Sequence, residues 1–277
     1  MTKVAAYQAP LLPTGSAEAI DLIAVQVRAC ESIGVEFLCC PEGVLGGLAD
    51  YASRPFEIAI DVRRGQLQQA LEPIASETVT TILGFTEIDD GRLFNSAAVV
   101  YKGSVTGVYR KLHPAINRSI YESGHDTPVF KANDLTFGIV ICRDSTYREP
   151  ARAMADCGAT VLFVPTNNGM SPSKRGVGIV EQARETDIAR AKENRVSVIR
   201  ADVAGRANGL VSYGSSGIVD RDGTVLRTAM QFEAGLIVAE IETSPMALAY
   251  AEKRSNKSLD ASGGSMFRIL TGPAMLD

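Results

Sequence analysis

The sequence predicts an α/β fold in which helices lie outside a core of β-sheet. Short apolar runs rich in β-branched residues alternate with segments of helical periodicity along most of the chain. An example of the first kind is 135–141, and an example of the second is the segment that ends at Asn194. Hydrophobic residues make up 45% of the 277 positions, which is enough for a packed core. Glycine, proline and polar residues separate the runs, so several predicted strands end abruptly.

The first part of the chain is predicted to form a strand, a helix and a second strand. The strands are expected over 2–7 and 35–40. The helix is expected over 17–34 and ends at Gly34. Pro41 and Glu42 end the second strand, which places a carboxylate at a strand end. The helix carries one apolar face, formed by Ile20, Ile23, Val27 and Cys30.

The next part is predicted to form a helix followed by a meander of strands. Strands are expected over 79–88, 95–101 and 105–109. The last of them leads into Lys111, so a lysine also lies at a strand end. The helix is indicated by a stripe of apolar residues, Leu67, Ala70, Leu71 and Ile74.

A cysteine follows an apolar strand in the middle of the chain. The strand is predicted over 135–141, and Cys142 begins a polar turn that leads into a helix over 149–157. Backbone N–H groups at such an elbow can favour a thiolate and stabilise an oxyanion, although free cysteines are also often buried. We expect Cys142 to be exposed at the edge of the sheet.

The remaining elements continue the alternation and then give way to a different composition. A single domain is predicted over 1–242, followed by a tail over 243–277 that packs on the body or on a partner subunit. The elements of this part are a strand at 160–165, a polar loop at 166–178, a long helix to Asn194, a strand at 196–203, a hairpin at Asp222-Gly223 and a strand at 236–241.

Charge and cysteine content argue against several classes of protein. The formal net charge is −4 and no block is rich in lysine and arginine, so neither nucleic acid nor an anionic membrane is an expected partner. No run reaches the ~18 apolar residues of a membrane span, and the N-terminus lacks a signal-peptide pattern. Five cysteines without a disulfide-framework spacing suit a reducing compartment, so a cytoplasmic location is expected. Two histidines and no zinc-ligand spacing predict no metal site.

Three reactive side chains share one predicted location. Glu42, Lys111 and Cys142 each lie just beyond the end of a buried strand, where open α/β sheets place their sites. A cysteine attacks a carbon bonded to nitrogen well only as a thiolate, so it needs a base and a cation that stabilises developing negative charge. Glutamate and lysine could supply both. Taken singly, each residue also has an ordinary explanation as a solvated strand end, a surface charge or a buried thiol.

Three segments together resemble the catalytic blocks of the nitrilase, or carbon–nitrogen hydrolase, superfamily. They are PEGVLGG at 41–47, NSAAVVYKGSVTGVYRKLHP at 95–114 and FGIVICRDSTYREPAR at 137–152, in the order in which the family carries them. The later segments AKENRVSVIRADV at 191–203 and YGSSGIVDRDGTVL at 213–226 are also similar, so the resemblance extends to Ile241.

The resemblance implies a four-layer α-β-β-α sandwich and a Glu-Lys-Cys triad that uses neither a metal nor a cofactor. In this triad Glu42 is the general base and acid, Lys111 stabilises the oxyanion and Cys142 is the nucleophile. The backbone N–H of Arg143 is implied as a further oxyanion donor. Members of the family commonly pair, so we expect a homodimer or a higher homo-oligomer.

The chain departs from the family pattern at one position. Many members carry a second glutamate seven residues before the glycine of an F-x-x-G element, and counting back from Gly124 gives Asn117. Asn117 could bind a substrate nitrogen, or Glu122 could reach the site from a shifted backbone. Glu122 does not have the spacing of the family's second glutamate, so its ordinary explanation is a solvated loop carboxylate.

Other substrate-binding candidates lie beyond neighbouring strand ends. Asn167 and Asn168 could line the pocket or could only form a turn. The guanidinium of Arg143 could pair with a carboxylate of the substrate.

Together these features predict a thiol hydrolase that acts on a small linear amide or carbamoyl compound. The nucleophile turn reads C-R-D at 142–144, which is closer to the amidase and carbamoylase pattern than to the C-W-E of true nitrilases. Nitrile hydrolysis and a catalytically silent binding scaffold remain as alternatives.

Overall fold

Two β-sheets packed face to face form the centre of the protein. The computed structural model describes residues 1–116, 118–172 and 176–243, and strands and helices are numbered here in chain order. The first sheet contains β1 Thr2–Pro10, β2 Phe37–Cys39, β3 Ile60–Asp61, β4 Thr80–Asp89, β5 Arg92–Tyr101, β6 Ser104–Arg110, β7 Tyr121–Glu122, β12 Val203–Ala207, β13 Leu210–Tyr213 and β16 Gly235–Ile241. The second contains β8 Val129–Ala132, β9 Leu135–Ile139, β10 Val161–Pro165, β11 Ser197–Ala201, β14 Gly217–Val219 and β15 Val225–Thr228.

Both sheets are mixed, with a parallel centre. In the first sheet β1, β2 and β4 are parallel neighbours, and β4, β5 and β6 continue as an antiparallel meander. In the second sheet β9, β10 and β11 are parallel. Parallel neighbours end at the same edge of their sheet, so the loops after β9 and β10 lie side by side. The N–H of Glu42, in the loop after β2 of the other sheet, donates to the carbonyl of Thr166 (3.3 Å), so that loop meets the loop after β10.

Helices cover the outer face of each sheet. They are α1 Glu18–Ser32, α2 Gln66–Ala70, α3 Arg148–Asp156 and α4 Val177–Asn194. Helix α1 buries Ile23, Val27 and Cys30 against the first sheet, as its apolar stripe predicts. Helix α3 lies so close to β9 that a Cβ atom at Gly138 would be 2.5 Å from the sulfur of Met154. The predicted four-layer α-β-β-α sandwich is therefore confirmed.

Alternating side chains of the first sheet divide between two cores. Along β1, Val4 and Ala6 face the second sheet, whereas Ala5 and Tyr7 face α1. This period of two is expected of a strand that is buried on both faces. Between the sheets, the ring of Phe37 lies 5.8 Å from that of Phe137 and 5.9 Å from that of Phe163, measured between centroids.

The first strand pairs with the last strand of the described chain. Strands β1 and β16 are antiparallel from Thr2 opposite Ile241 to Gln8 opposite Gly235. Of the predicted tail over 243–277, only Thr243 belongs to the described residues, so the packing of the tail stays a prediction. Among the described residues, no helix combines the length and the apolar character that are needed to cross a membrane.

Two predicted elements are wrong in their extent. The single strand over 196–203 is divided at Asp202 into β11 and β12, which belong to different sheets. The division arises because the N–H of Asp202 donates to the Ser216 hydroxyl (2.8 Å), while the Asp202 carboxylate accepts the N–H of Val203 (2.8 Å). The helix around Leu67 stops at Ala70, which is exposed, and a 3₁₀ turn at Glu72–Ile74 contains Pro73.

Candidate active site

Glu42 lies in the loop after β2 and is almost completely buried, with 2% of its surface exposed. Its Oε1 accepts hydrogen bonds from Lys111 Nζ (2.5 Å) and Asn95 Nδ2 (2.7 Å). Its Oε2 accepts one from the backbone N–H of Asn167 (3.0 Å). The carboxylate is thus fixed by three donors, and Oε2 retains a lone pair for a proton.

The position of Glu42 depends on a glycine in β4. A Cβ atom at Gly84 would lie 2.4 Å from the nitrogen of Gly43 and 2.5 Å from Cα of Glu42. The N–H of Gly84 also donates to the carbonyl of Pro41 (3.0 Å). Only glycine allows β4 to pass this close to the loop that carries the carboxylate.

Lys111 directly follows β6 and is 1% exposed. Burial alone lowers its pKa, but the negative charges of Glu42 and Asp144 and the hydrogen bond to Glu42 outweigh burial and raise the pKa, so the side chain is an ammonium. The backbone of Lys111 is held by Asn95, whose carbonyl accepts its N–H (2.8 Å), and by Gly124, whose N–H donates to its carbonyl (2.8 Å). A buried ion pair of this kind is costly to break from one side, by about 3–5 kcal/mol.

Cys142 begins a 3₁₀ turn, Cys142–Thr146, at the end of the β9 segment. Its φ of 47° lies in the left-handed region, which is uncommon for a side chain other than glycine and is typical of a tight elbow. The turn is stabilised by Ser145, whose hydroxyl donates to the carbonyl of Cys142 (2.7 Å). The side chain is partly buried, so the expectation of an exposed thiol at the sheet edge is corrected to a thiol recessed within the loops.

The charges around Cys142 favour the protonated thiol in the free protein. Burial and the charge of Glu42 raise the pKa of Cys142 to about 12, and Asp202 also raises it. Lys111 and Arg200 lower the pKa, but by less. A thiol in this state can act as a nucleophile only if a base takes its proton, and Glu42 belongs to the same group of interacting charges.

Asp144 connects the Cys142–Thr146 turn to the chain around Lys111, just after β6. It is completely buried, and its carboxylate accepts hydrogen bonds from the backbone N–H of His113 (2.8 Å) and of Ile141 (3.2 Å). It also accepts from the Tyr109 hydroxyl (2.8 Å) and contacts His113 Nδ1 (3.0 Å). Asp144 therefore fixes the chain on both sides of Lys111 relative to Cys142.

Arg200 lies beneath the site on β11, with 3% of its surface exposed. Its guanidinium donates to the Asp187 carboxylate through Nε (2.7 Å) and to the hydroxyls of Thr166 (2.7 Å) and Ser145 (3.0 Å). Through Ser145 it supports the Cys142 turn. The carbonyl of Thr166 accepts the N–H of Glu42 (3.3 Å), so Arg200 also supports the loop that meets the carboxylate.

The side chain of Asn168, in the loop after β10, faces Cys142. Its Oδ1 lies 3.9 Å from Cys142 Sγ, and its Nδ2 donates to Asp202 (3.0 Å). Asp202 is completely buried. Burial raises the pKa of its carboxyl group, while hydrogen bonds from Ser215, Asn168 and Val203 lower it in part.

A match to a known protein family covers most of the chain. The family profile described as Carbon-nitrogen hydrolase matches residues 3–249. The chain belongs to this family. The match confirms the resemblance of the chain to the nitrilase, or carbon–nitrogen hydrolase, superfamily.

Individual relatives of this carbon–nitrogen hydrolase differ in their named activities. An (R)-stereoselective amidase from Pseudomonas sp. is 33% identical over 72% of this chain and 69% of its own length. A nitrilase from Pyrococcus abyssi is 34% identical over 68% of this chain and 69% of its own length. Among solved structures, Nit3 of Saccharomyces cerevisiae, a member of branch 10 of the nitrilase superfamily, has a TM-score of 0.77 at 20% identity, covering 91% of this chain and 93% of its own.

Glu42 and Lys111 form an ion pair (2.5 Å), and the charges of both act on the thiol of Cys142, so the three side chains lie in one region of the structure. Their catalytic roles stay a prediction. Asn167 also reaches the site, but through its backbone N–H. Its side chain accepts the N–H of Gly169 (3.1 Å) and contacts the carbonyl of Glu42 (3.4 Å). The predicted role of Asn167 in substrate binding stays a prediction.

The other substrate-binding candidates are placed differently. The guanidinium of Arg143 is exposed and donates to the carbonyl of Ala115 (2.8 Å), so it holds the neighbouring loop. Glu122 is exposed on β7, as its spacing indicates, whereas Asn117 lies outside the described residues. Among the described residues, no group of three or more histidine, cysteine, aspartate or glutamate side chains could hold a metal ion.

Several buried polar residues of the site were not singled out from the sequence. One available signal was a pair of charges in an otherwise apolar run, because VIRADV at 198–203 places Arg200 and Asp202 within a predicted buried strand. Charged residues are rarely fully buried unless they are paired, so such an interruption indicates a polar cluster. Asn95 gave no comparable signal, since one asparagine in a strand has many explanations.

The pH dependence of alkylation should report the protonated thiol of Cys142. Because its pKa is raised to about 12, the rate of labelling by iodoacetamide is expected to climb roughly tenfold per pH unit from pH 7 to 9 without a plateau. N-acetylcysteine, with an ordinary thiol pKa near ~8.5, provides the reference and should level off above pH 9. Peptide mass spectrometry resolves Cys142 from the exposed Cys157. A plateau for Cys142 below pH 8 would instead demonstrate a resting thiolate.

Proposed function

We propose that the protein is a thiol hydrolase that cleaves the C–N bond of a small linear amide or carbamoyl compound through a cysteine thioester. The observation that carries this proposal is the enclosed ion pair of Glu42 and Lys111 (2.5 Å), whose charges act on the thiol of Cys142. A base and a cation beside one thiol are the groups that acyl transfer from an amide requires.

The first half of the reaction forms the thioester. Glu42 takes the thiol proton as Cys142 Sγ bonds to the carbonyl carbon, and the π electrons of the carbonyl move to its oxygen. The ammonium of Lys111 and the backbone N–H of Arg143 stabilise that oxyanion. Glu42 then delivers its proton to the nitrogen as the C–N bond breaks, and ammonia or an amine leaves.

The second half regenerates the enzyme. Glu42 accepts a proton from water, whose oxygen attacks the thioester carbon. The S–C bond breaks, the acid is released and Cys142 recovers its proton from Glu42. The free lone pair of Oε2 suits Glu42 for both transfers, because Lys111 and Asn95 already occupy Oε1.

Nitrile hydrolysis is the second candidate function. The nitrilase from Pyrococcus abyssi is as similar to the chain as the amidase from Pseudomonas sp., which supports either activity. Two features favour the amide. The first is the C-R-D turn at 142–144, which resembles the turn of amidases and carbamoylases. The second is Glu42, because forming the thioester from an amide requires a proton donor for the leaving nitrogen.

A panel of matched amides, carbamoyl amines and nitriles tests the assignment. We expect a higher kcat/KM for the amide or carbamoyl compound than for the nitrile with the same carbon chain, measured by released ammonia. The Cys142→Ala variant is the blank for each compound. Higher kcat/KM for the nitriles across the panel would reverse the assignment, and turnover of no compound by the wild-type protein would favour the binding scaffold.

A further inference from the structure

The side-chain amide of Asn168 is held at both ends. Its nitrogen donates to Asp202 Oδ2 (3.0 Å) and to the hydroxyl of Ser215 (3.1 Å), while its oxygen lies 3.9 Å from Cys142 Sγ. The backbone N–H of Asn168 donates to the other oxygen of Asp202 (3.0 Å). Main chain and side chain are therefore both fixed by one carboxylate.

The hydrogen bonds that both oxygens of Asp202 accept determine which end of the amide faces Cys142. The carboxylate also accepts the N–H (3.0 Å) and the hydroxyl (2.7 Å) of Ser215 and the N–H of Val203 (2.8 Å). A carboxylate only accepts hydrogen bonds, so the NH₂ end of Asn168 must face it. The amide oxygen of Asn168 therefore faces the thiol. If the two ends of the amide were exchanged, this oxygen would lie against an oxygen of Asp202, and neither could donate a hydrogen bond.

A fixed acceptor beside the nucleophile has a chemical consequence for the substrate. As sulfur approaches the carbonyl carbon to about 3–3.5 Å, the nitrogen bonded to that carbon comes within reach of an oxygen on the same side of the sulfur. An amide or carbamoyl nitrogen carries N–H groups that Asn168 can accept. A nitrile nitrogen has a lone pair and no hydrogen, so it leaves the acceptor unpaired.

We propose that the side-chain oxygen of Asn168 accepts the N–H of the scissile amide, and that Asp202 is the positioning residue that fixes this oxygen. In the free protein the same oxygen accepts the S–H of Cys142. Asn168 is thus a specificity-determining residue that favours amides over nitriles. This inference rests on the proposed function, which it deepens by naming the contact that selects the substrate.

The decisive measurement is the ratio of kcat/KM for propionamide to that for propionitrile. In Asn168→Leu we expect kcat/KM for propionamide to fall roughly ten- to hundredfold, while the value for propionitrile changes less than about threefold. In Asp202→Asn the side-chain amide of Asn168 is free to exchange its oxygen and NH₂ ends. The ratio of kcat/KM for propionamide to that for propionitrile should therefore fall as well. An equal loss for both substrates in both variants would overturn the proposal, since it would mean a structural role.

A control variant removes a buried hydrogen bond nearby without touching Asn168. Ser212 is buried and donates to the carbonyl of Val203 (2.6 Å), next to Asp202. Ser212→Ala is expected to keep the wild-type ratio. Circular dichroism and thermal melting identify variants that fail to fold, and Asn168→Ser replaces Asn168→Leu if leucine is not tolerated.

A binding experiment separates this proposal from the proposed function. In Cys142→Ala, which cannot form a thioester, ligand-observed NMR should show tighter binding of propionamide than of propionitrile. Adding Asn168→Leu should weaken propionamide roughly tenfold and leave propionitrile unchanged. If the wild-type protein hydrolyses no amide, the proposed function fails while this comparison still decides the role of Asn168. Equal binding of the two compounds in Cys142→Ala overturns the inference.

Discussion

Glu42→Gln is expected to lower kcat by about 10²–10⁴-fold. Glutamine keeps the shape of the side chain and an oxygen that can accept from Lys111 and Asn95, but it cannot take the thiol proton. The negative charge of Glu42 raises the pKa of Cys142, so its removal should lower that pKa. The variant would therefore hold more thiolate than the wild-type protein and still be inactive.

Two measurements on Glu42→Gln test this expectation. Steady-state kinetics on the best amide of the panel gives kcat, and the pH dependence of iodoacetamide labelling gives the direction of the shift in the pKa of Cys142. Glu77→Gln, on an exposed side chain, is the matched control and should be unchanged in both. Turnover within tenfold of wild type would show that Glu42 is only a structural partner of Lys111.

Lys111→Arg is expected to lose at least about 10²–10³-fold in kcat, although it keeps the positive charge. The lysine is 1% exposed between Glu42 and the nucleophile turn, so there is no room for a planar guanidinium in the place of a compact ammonium. Lys111→Ala should be equally inactive and less stable by about 3–5 kcal/mol, because it leaves the carboxylate of Glu42 buried without its cation.

Kinetics and denaturant unfolding of the two variants separate catalysis from stability. Lys131→Arg, on the exposed side of β8, is the control for the change of lysine to arginine and should behave as wild type. Near-normal turnover in Lys111→Arg would assign the lysine to stability alone. Normal stability in Lys111→Ala would show instead that Glu42 finds another partner when the lysine is removed.

The sequence was sufficient to identify the three catalytic candidates, because each follows a strand that can be predicted from its apolar pattern. Glu42, Lys111 and Cys142 could be placed at strand ends without knowing how the sheets pack. The contacts that orient them could not, since those come from elements distant in the chain. Asn95 approaches Glu42 from β5, and Asp202 reaches the loop of Asn168 from the junction between the two sheets.

The division at Asp202 shows a second limit of periodicity. The run at 196–203 is apolar enough to be one strand, and nothing in its spacing shows that the chain passes from one sheet to the other. That passage depends on where the Asp202 carboxylate finds its donors, in Ser215, Val203 and Asn168. The pairing of subunits and the packing of the tail involve surfaces beyond one described chain, and they stay predictions.

The pairing of β1 with β16 has a consequence for synthesis on the ribosome. Strand β1 cannot gain this antiparallel neighbour until Ile241 has been made, and about a hundred residues separate Cys142 from that point. At ~5–20 residues per second this interval lasts roughly 5–20 s. During it, a nascent chain carries Cys142 without the completed first sheet, so we expect the thiol to be less enclosed than in the folded protein, where it is partly buried.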